Sequence, residues 1–193
     1  MRRRCDTQIM NTPANYRQVA KLYDSLSPTL QKYLKHFPKL INNNDLPLEI
    51  TIAYLFQKLE SAHRRALYGI IVKKYFADAK STHEKISKSK LRRKELDKLF
   101  ERITLSIPHN TKKLLQDAES IRDDSMHGRK VKVQQLREAI SNVLNYLETF
   151  NSHVCSAFNI KPCGGMRGFT GKAKKLDEKT THLIFEELKI KDK

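Results

Sequence analysis

Apolar residues in this chain recur at intervals of three and four over several long stretches, and no stretch alternates in twos. From about 46 to 76, Ile52, Leu55, Phe56, Leu59, Ala62, Ala66, Ile70 and Ile71 fall on one stripe, the mark of a long helix facing a core. Leu136, Ile140, Val143, Leu144, Leu147, Phe150 and Val154 predict a second long helix after Gly128. Between them, Leu91, Leu96, Leu99, Phe100 and Ile103 predict a helix over 91–105 that Pro108 ends. Leu114, Leu115, Ala118 and Ile121 give the buried side of a shorter helix over 110–123. Residues 13–41 read as two short helices parted at Ser27-Pro28, because proline disfavours helix in its predecessor and is accepted in a first turn. Asp45, after an asparagine-rich turn, is placed to cap the next helix. A last helix, about 177–189, is expected to pack through Leu183, Ile184 and Leu188.

Glycine use sharpens this picture. Four of the six glycines fall between Gly164 and Gly171, so the first 160 residues almost lack the residue that punctuates tight turns. The expectation is an all-α protein: an N-terminal helical extension over 1–45, a helical bundle over 46–158, and a glycine-rich basic linker with a C-terminal helix over 159–193. The linker resembles a phosphate loop only faintly, since Met166 stands where the first glycine belongs and Ala173 replaces the Ser or Thr that magnesium needs. It reads better as a linker or an RNA-contacting arm carrying Arg167, Phe169 and Lys172.

Charge changes the question from fold to partner. Lys and Arg outnumber Asp and Glu by 38 to 21, a formal charge of +17 that favours encounter with a polyanion. The long helix carries Lys58, His63, Arg64, Arg65, Lys73 and Lys74 off its apolar stripe, with Glu60 four residues before Arg64, so His63 is expected on the solvated face. Lys80 to Lys94 holds seven basic residues and one acidic, Glu84, and is either a mobile arm or an exposed helix start. Arg64, Arg65, Lys88, Lys90, Arg92, Arg93, Arg129 and Lys130 are the candidate phosphate contacts.

Three scattered cysteines, Cys5, Cys155 and Cys163, form no CxxC or Cys/His ligand pattern, so neither a metal nor a cofactor is expected. The basic start runs into Thr7, Gln8, Asn11 and Thr12 rather than an apolar run, and the longest apolar stretch is far below spanning length. A cytoplasmic protein with no membrane partner is the expectation.

The stretch richest in chemistry is Ile121-Arg122-Asp123-Asp124-Ser125-Met126-His127-Gly128-Arg129. Arg122 is expected in the last turn of one helix and His127 in the connection to the next, off any apolar stripe. Gly128 permits a backbone conformation that other residues resist. An Arg-polar-x3-His sequence between these two helices resembles the signature of HEPN domains, and the likeness covers residues 110–150 well and the helix over 46–76 loosely. The resemblance implies a helical bundle that dimerises with its motifs facing and cleaves RNA without metal, although members that only bind RNA exist. It makes Arg122 and His127 catalytic and Asp123 the polar follower. It also implies a class often deployed as a toxin or in antiviral defence, for which an antitoxin protein is the expected partner.

Elementary chemistry agrees with that implication. RNA carries its own nucleophile, the 2′-hydroxyl, so an enzyme need only move two protons and stabilise a charged phosphorane. Histidine as a residue type titrates near neutrality, and arginine forks onto two phosphoryl oxygens. One histidine serves poorly as both base and acid, whereas a two-fold dimer supplies two. Asp123 would hold Arg122 or orient His127. Three readings compete: an endoribonuclease, a non-catalytic RNA-binding or assembly module in which the motif is a capping and ion-pair arrangement, and a basic helical adaptor for DNA.

Overall fold

The computed structural model describes residues 15–43, 45–89, 91, 93–103, 105, 107–165 and 175–190, without the side chains of residues 93 and 94. Among these residues the fold is all-α, with no strand. The helices are α1 (Tyr16–Ser25), α2 (Pro28–Tyr33), α3 (Phe37–Ile41), α4 (Leu48–Lys74), α5 (Ala79–Lys88), α6 (Arg93–Arg102), α7 (His109–Met126), α8 (Val133–Phe158) and α9 (Glu178–Glu187). None is long and apolar enough to cross a membrane.

The two long helices form the centre. Every stripe residue predicted for α4 and α8 is buried, and the two stripes face each other. Each such side chain removed from water contributes about 1.5–3 kcal/mol before entropy is charged against it. α7 folds back along α8 after the short connection at 127–132, α1 lies on α8, α3 on α4, and α5 sits between α4 and α9. One hydrophobic core runs from Val19 of α1 to Ile190 beyond α9.

The seam holds the main departure from the sequence-based expectation. His63 is not on a solvated face; it is 2% exposed, and its Nε2 lies 2.9 Å from the Tyr146 hydroxyl. The rings of Phe150, Tyr146 and Phe100 surround it at centroid distances of 4.7, 5.6 and 5.7 Å. A polar ring is tolerated there because a hydroxyl from the facing helix satisfies it.

Smaller departures have local causes. Residues 15–41 make three helices rather than two, because Pro38 in the first turn of α3 prevents α2 from running on. Asp45 does not cap α4; its N–H donates to Asn43 Oδ1, and Pro47 occupies the cap position. Within the basic block, 80–88 is helical: Asp78 caps α5 by accepting from the Ser81 N–H and hydroxyl, and buried Thr82 and Ile86 anchor the helix. In α9, Leu183 is 62% exposed while Thr181, Phe185 and Leu188 turn inward. The start of the glycine-rich segment is packed, with Ile160 and Cys163 buried and the Cys163 N–H donating to Asn151 Oδ1. Residues 166–174, with Arg167, Phe169 and Lys172, lie outside the described residues.

Two outcomes follow from these contacts. Tyr146→Phe leaves the His63 ring without its hydroxyl partner and should lower unfolding free energy by about 1–2 kcal/mol in urea titration. The Ser81 hydrogen bonds hold the Asp78 carboxyl below the usual carboxylate range. Its contribution is therefore complete above that range and lost as pH falls through the lowered value. Asp78→Ala should cost about 1 kcal/mol at neutral pH, with the difference from the parent disappearing in acid, as read by thermal melts across pH.

Candidate functional site at the α7–α8 turn

The motif lies where the sequence pattern put it, at the end of α7. His127 is the C-cap residue, with its N–H donating to Asp123 O at 3.0 Å. Gly128 takes φ 71°, its N–H donates to Ser125 O, and the Arg129 N–H reaches back to Asp124 O. That pair of bonds is the Schellman arrangement, which needs a left-handed residue at the Gly128 position. The chain then enters α8 with the Lys132 N–H donating to the Gln135 side chain.

The two halves of the motif are held very differently. The Arg122 guanidinium lies 4.3 Å from the centre of the Phe56 ring of α4, and its Nε and Nη2 both donate to Asp123 Oδ1. Its side chain is 29% exposed. His127, by contrast, is exposed, and its imidazole makes no hydrogen bond with a described residue. No hydrogen bond joins Arg122 to His127. The turn is flanked by Met126, 65% exposed, and Val133, 52% exposed. The end of α7 thus carries a cation held on α4 and, at its C-cap, an exposed imidazole flanked by apolar surface.

The other candidate contacts divide by what they touch. Lys90 and Arg92 lie outside the described residues, as does the side chain of Arg93. Arg129 pairs with Asp124, and Lys130 is exposed. Lys88 is exposed near Glu84, at 3.8 Å. Arg64 and Arg65 are committed to backbone. Arg64 donates to Ile86 O at 2.6 Å and to Ser89 O at the end of α5, while pairing with Glu60; Arg65 donates to Gly164 O and lies over the Tyr33 ring. Burial pushes the Cys163 thiol up to about 12, which makes it a packed residue rather than a nucleophile.

The seat for Arg122 was missed in the sequence because Phe56 reads as one more core position. Phe56 does belong to the apolar stripe, but its face is covered by a guanidinium from α7. Comparison of the chain with protein-family models, with curated proteins and with solved structures finds no match.

Because a side chain at Gly128 meets no atom within 4 Å, Gly128→Ala tests backbone conformation alone. It should cost about 1 kcal/mol, measured by denaturant unfolding, without disturbing the core.

Proposed function

We propose that this chain is an RNA-acting protein of the HEPN type, a metal-independent endoribonuclease whose Arg122 and His127 work across a homodimer. The observation that carries the reading is the exposed imidazole of His127 at the C-cap of α7, with no hydrogen bond to a described residue, five positions after Arg122. One imidazole takes the 2′-hydroxyl proton and a second, from the other protomer, protonates the leaving 5′-oxygen. Arg122 neutralises the phosphorane, and Asp123 holds the guanidinium in orientation. Met126 and Val133 supply apolar surface beside the imidazole on which a second copy would seat. Use as a toxin or defence effector, restrained by an antitoxin protein, belongs to the same proposal.

A second reading is favoured by the hold on Arg122. Its contact with Phe56 ties α7 to α4, with its neighbour Asp123 holding the guanidinium there, which is what a non-catalytic RNA-binding or assembly module would need from the same residue. There, Arg122→Ala would lower stability and no preparation would cut RNA.

Incubation of parent and His127→Ala protein with mixed RNA in EDTA, followed by end-group analysis, separates these readings. The expected result is 2′,3′-cyclic phosphate ends from the parent and cleavage slower by about 10²–10⁴-fold in the variant, with melting temperature and RNA affinity retained. Equal cleavage by both proteins would remove the nuclease proposal.

A further inference from the structure

A groove of about 380 Å³ opens on the outer face of α4, where α5 crosses it. Its volume lies within the range of small-ligand sites. Six residues give it its chemistry: Gln57, Ser61, Arg64, Arg65 and Tyr68 from α4 and His83 from α5. Spacings of four, three and four along 57, 61, 64 and 68 keep these α4 residues on one face. That face is not the one Arg122 occupies. Tyr68 lies about 18 Å along the helix from Phe56 and about a third of a turn round it.

The lining combines two kinds of recognition. Arg64 and Arg65 are fixed by the carbonyls of Ile86 and Gly164, so their positive charge stands at the groove without rotamer freedom left to lose. Against two arginines and a histidine stands one carboxylate, Glu60, already paired with Arg64. The Tyr68 and His83 rings meet edge to face at 6.3 Å and 85°, which makes an aromatic corner with His83 exposed to solvent. Ser61 and Gln57 are exposed on the floor and bring a hydroxyl and an amide. Fixed cations beside an aromatic corner suit a ligand that joins a phosphate to a flat ring.

We propose that the α4–α5 groove binds a nucleoside monophosphate unit, with its base against Tyr68 and His83 and its phosphate toward Arg65. The unit is either a free nucleotide or one residue of a single strand, and the site is separate from the α7–α8 turn. It goes beyond the nuclease reading and does not depend on it.

Titration calorimetry with adenosine 5′-monophosphate and with a ten-residue oligodeoxyadenylate, which has no 2′-hydroxyl at which to be cleaved, tests the site. The proteins are the parent, Ser61→Trp, which fills the floor from an exposed position, His83→Ala, which trims an exposed ring, and His127→Ala. Binding of either probe that weakens at least tenfold in Ser61→Trp and about threefold in His83→Ala, yet is unchanged in His127→Ala, supports the groove. Monophosphate binding identifies a free nucleotide as sufficient; oligonucleotide binding alone identifies a unit of a strand. Neither probe binding, or binding that Ser61→Trp leaves intact, overturns the proposal. Failure of the nuclease reading shows separately, as intact RNA in EDTA with these groove affinities unchanged.

Discussion

The structure depends on one contact, the burial of α4 against α8. Helices of 27 and 26 residues gain little from backbone hydrogen bonds alone, and these two are stable because each covers the other's apolar stripe. The His63–Tyr146 pair gives that seam a register. Apolar side chains tolerate sliding by a turn, but a buried imidazole and hydroxyl are satisfied together in one alignment only. α7 is then placed twice, by its turn into α8 and by Arg122 lying on Phe56 of α4. The position of His127 is thus inherited from the long-helix seam.

The excess of positive charge has a structural use as well as an electrostatic one. Besides Arg64 and Arg65, Lys73 donates to Asn159 O at the end of α8, Lys74 to Ile103 O after α6, Arg102 to Leu188 O at the end of α9, and Lys175 to Val72 O in the last turn of α4. Helix ends leave carbonyls without intrahelical partners and carry partial negative charge, so a cation there answers both. These cations keep their charge but have their positions fixed by the fold. The formal charge of +17 therefore has two kinds of carrier, fixed cations such as Arg65 and exposed groups such as Lys130.

What was legible in the sequence follows from this division. The stripes of α4 and α8 could be read because burial of an entire face imposes a period on the chain, and the α7–α8 turn could be read because Gly128 marks a left-handed position. His63 could not be placed, since its burial is paid for by Tyr146, 83 residues away. The cation-to-carbonyl contacts are equally silent, spanning 22 residues for Arg64 and 103 for Lys175. In α9, where one turn offers Leu183, Ile184, Phe185 and Leu188, periodicity admits more than one buried face, and Phe185 with Leu188 takes it over Leu183. The groove had a signal, the recurrence of polar positions on α4, but a polar stripe reads as a solvated face until α5 is seen to cross it.

The resting geometry of Arg122 bears on whether the motif is competent. Its guanidinium is held by a cation–π contact, worth about 0.5–2 kcal/mol, and by a half-exposed ion pair to Asp123 worth about 0–1 kcal/mol. Two hydrogen bonds from that guanidinium to a phosphate would each return about 1.5–3 kcal/mol. Asp123 uses Nε and Nη2 but not the Nη1 edge of the guanidinium, so a phosphate there would add to the resting contacts while Phe56 and Asp123 keep the cation in place. His127 is held through its backbone N–H alone, since no described residue hydrogen-bonds its imidazole. The asymmetry between the two motif residues therefore has a structural origin: Phe56 and Asp123 hold the Arg122 guanidinium, while the C-cap position leaves the His127 imidazole at the surface.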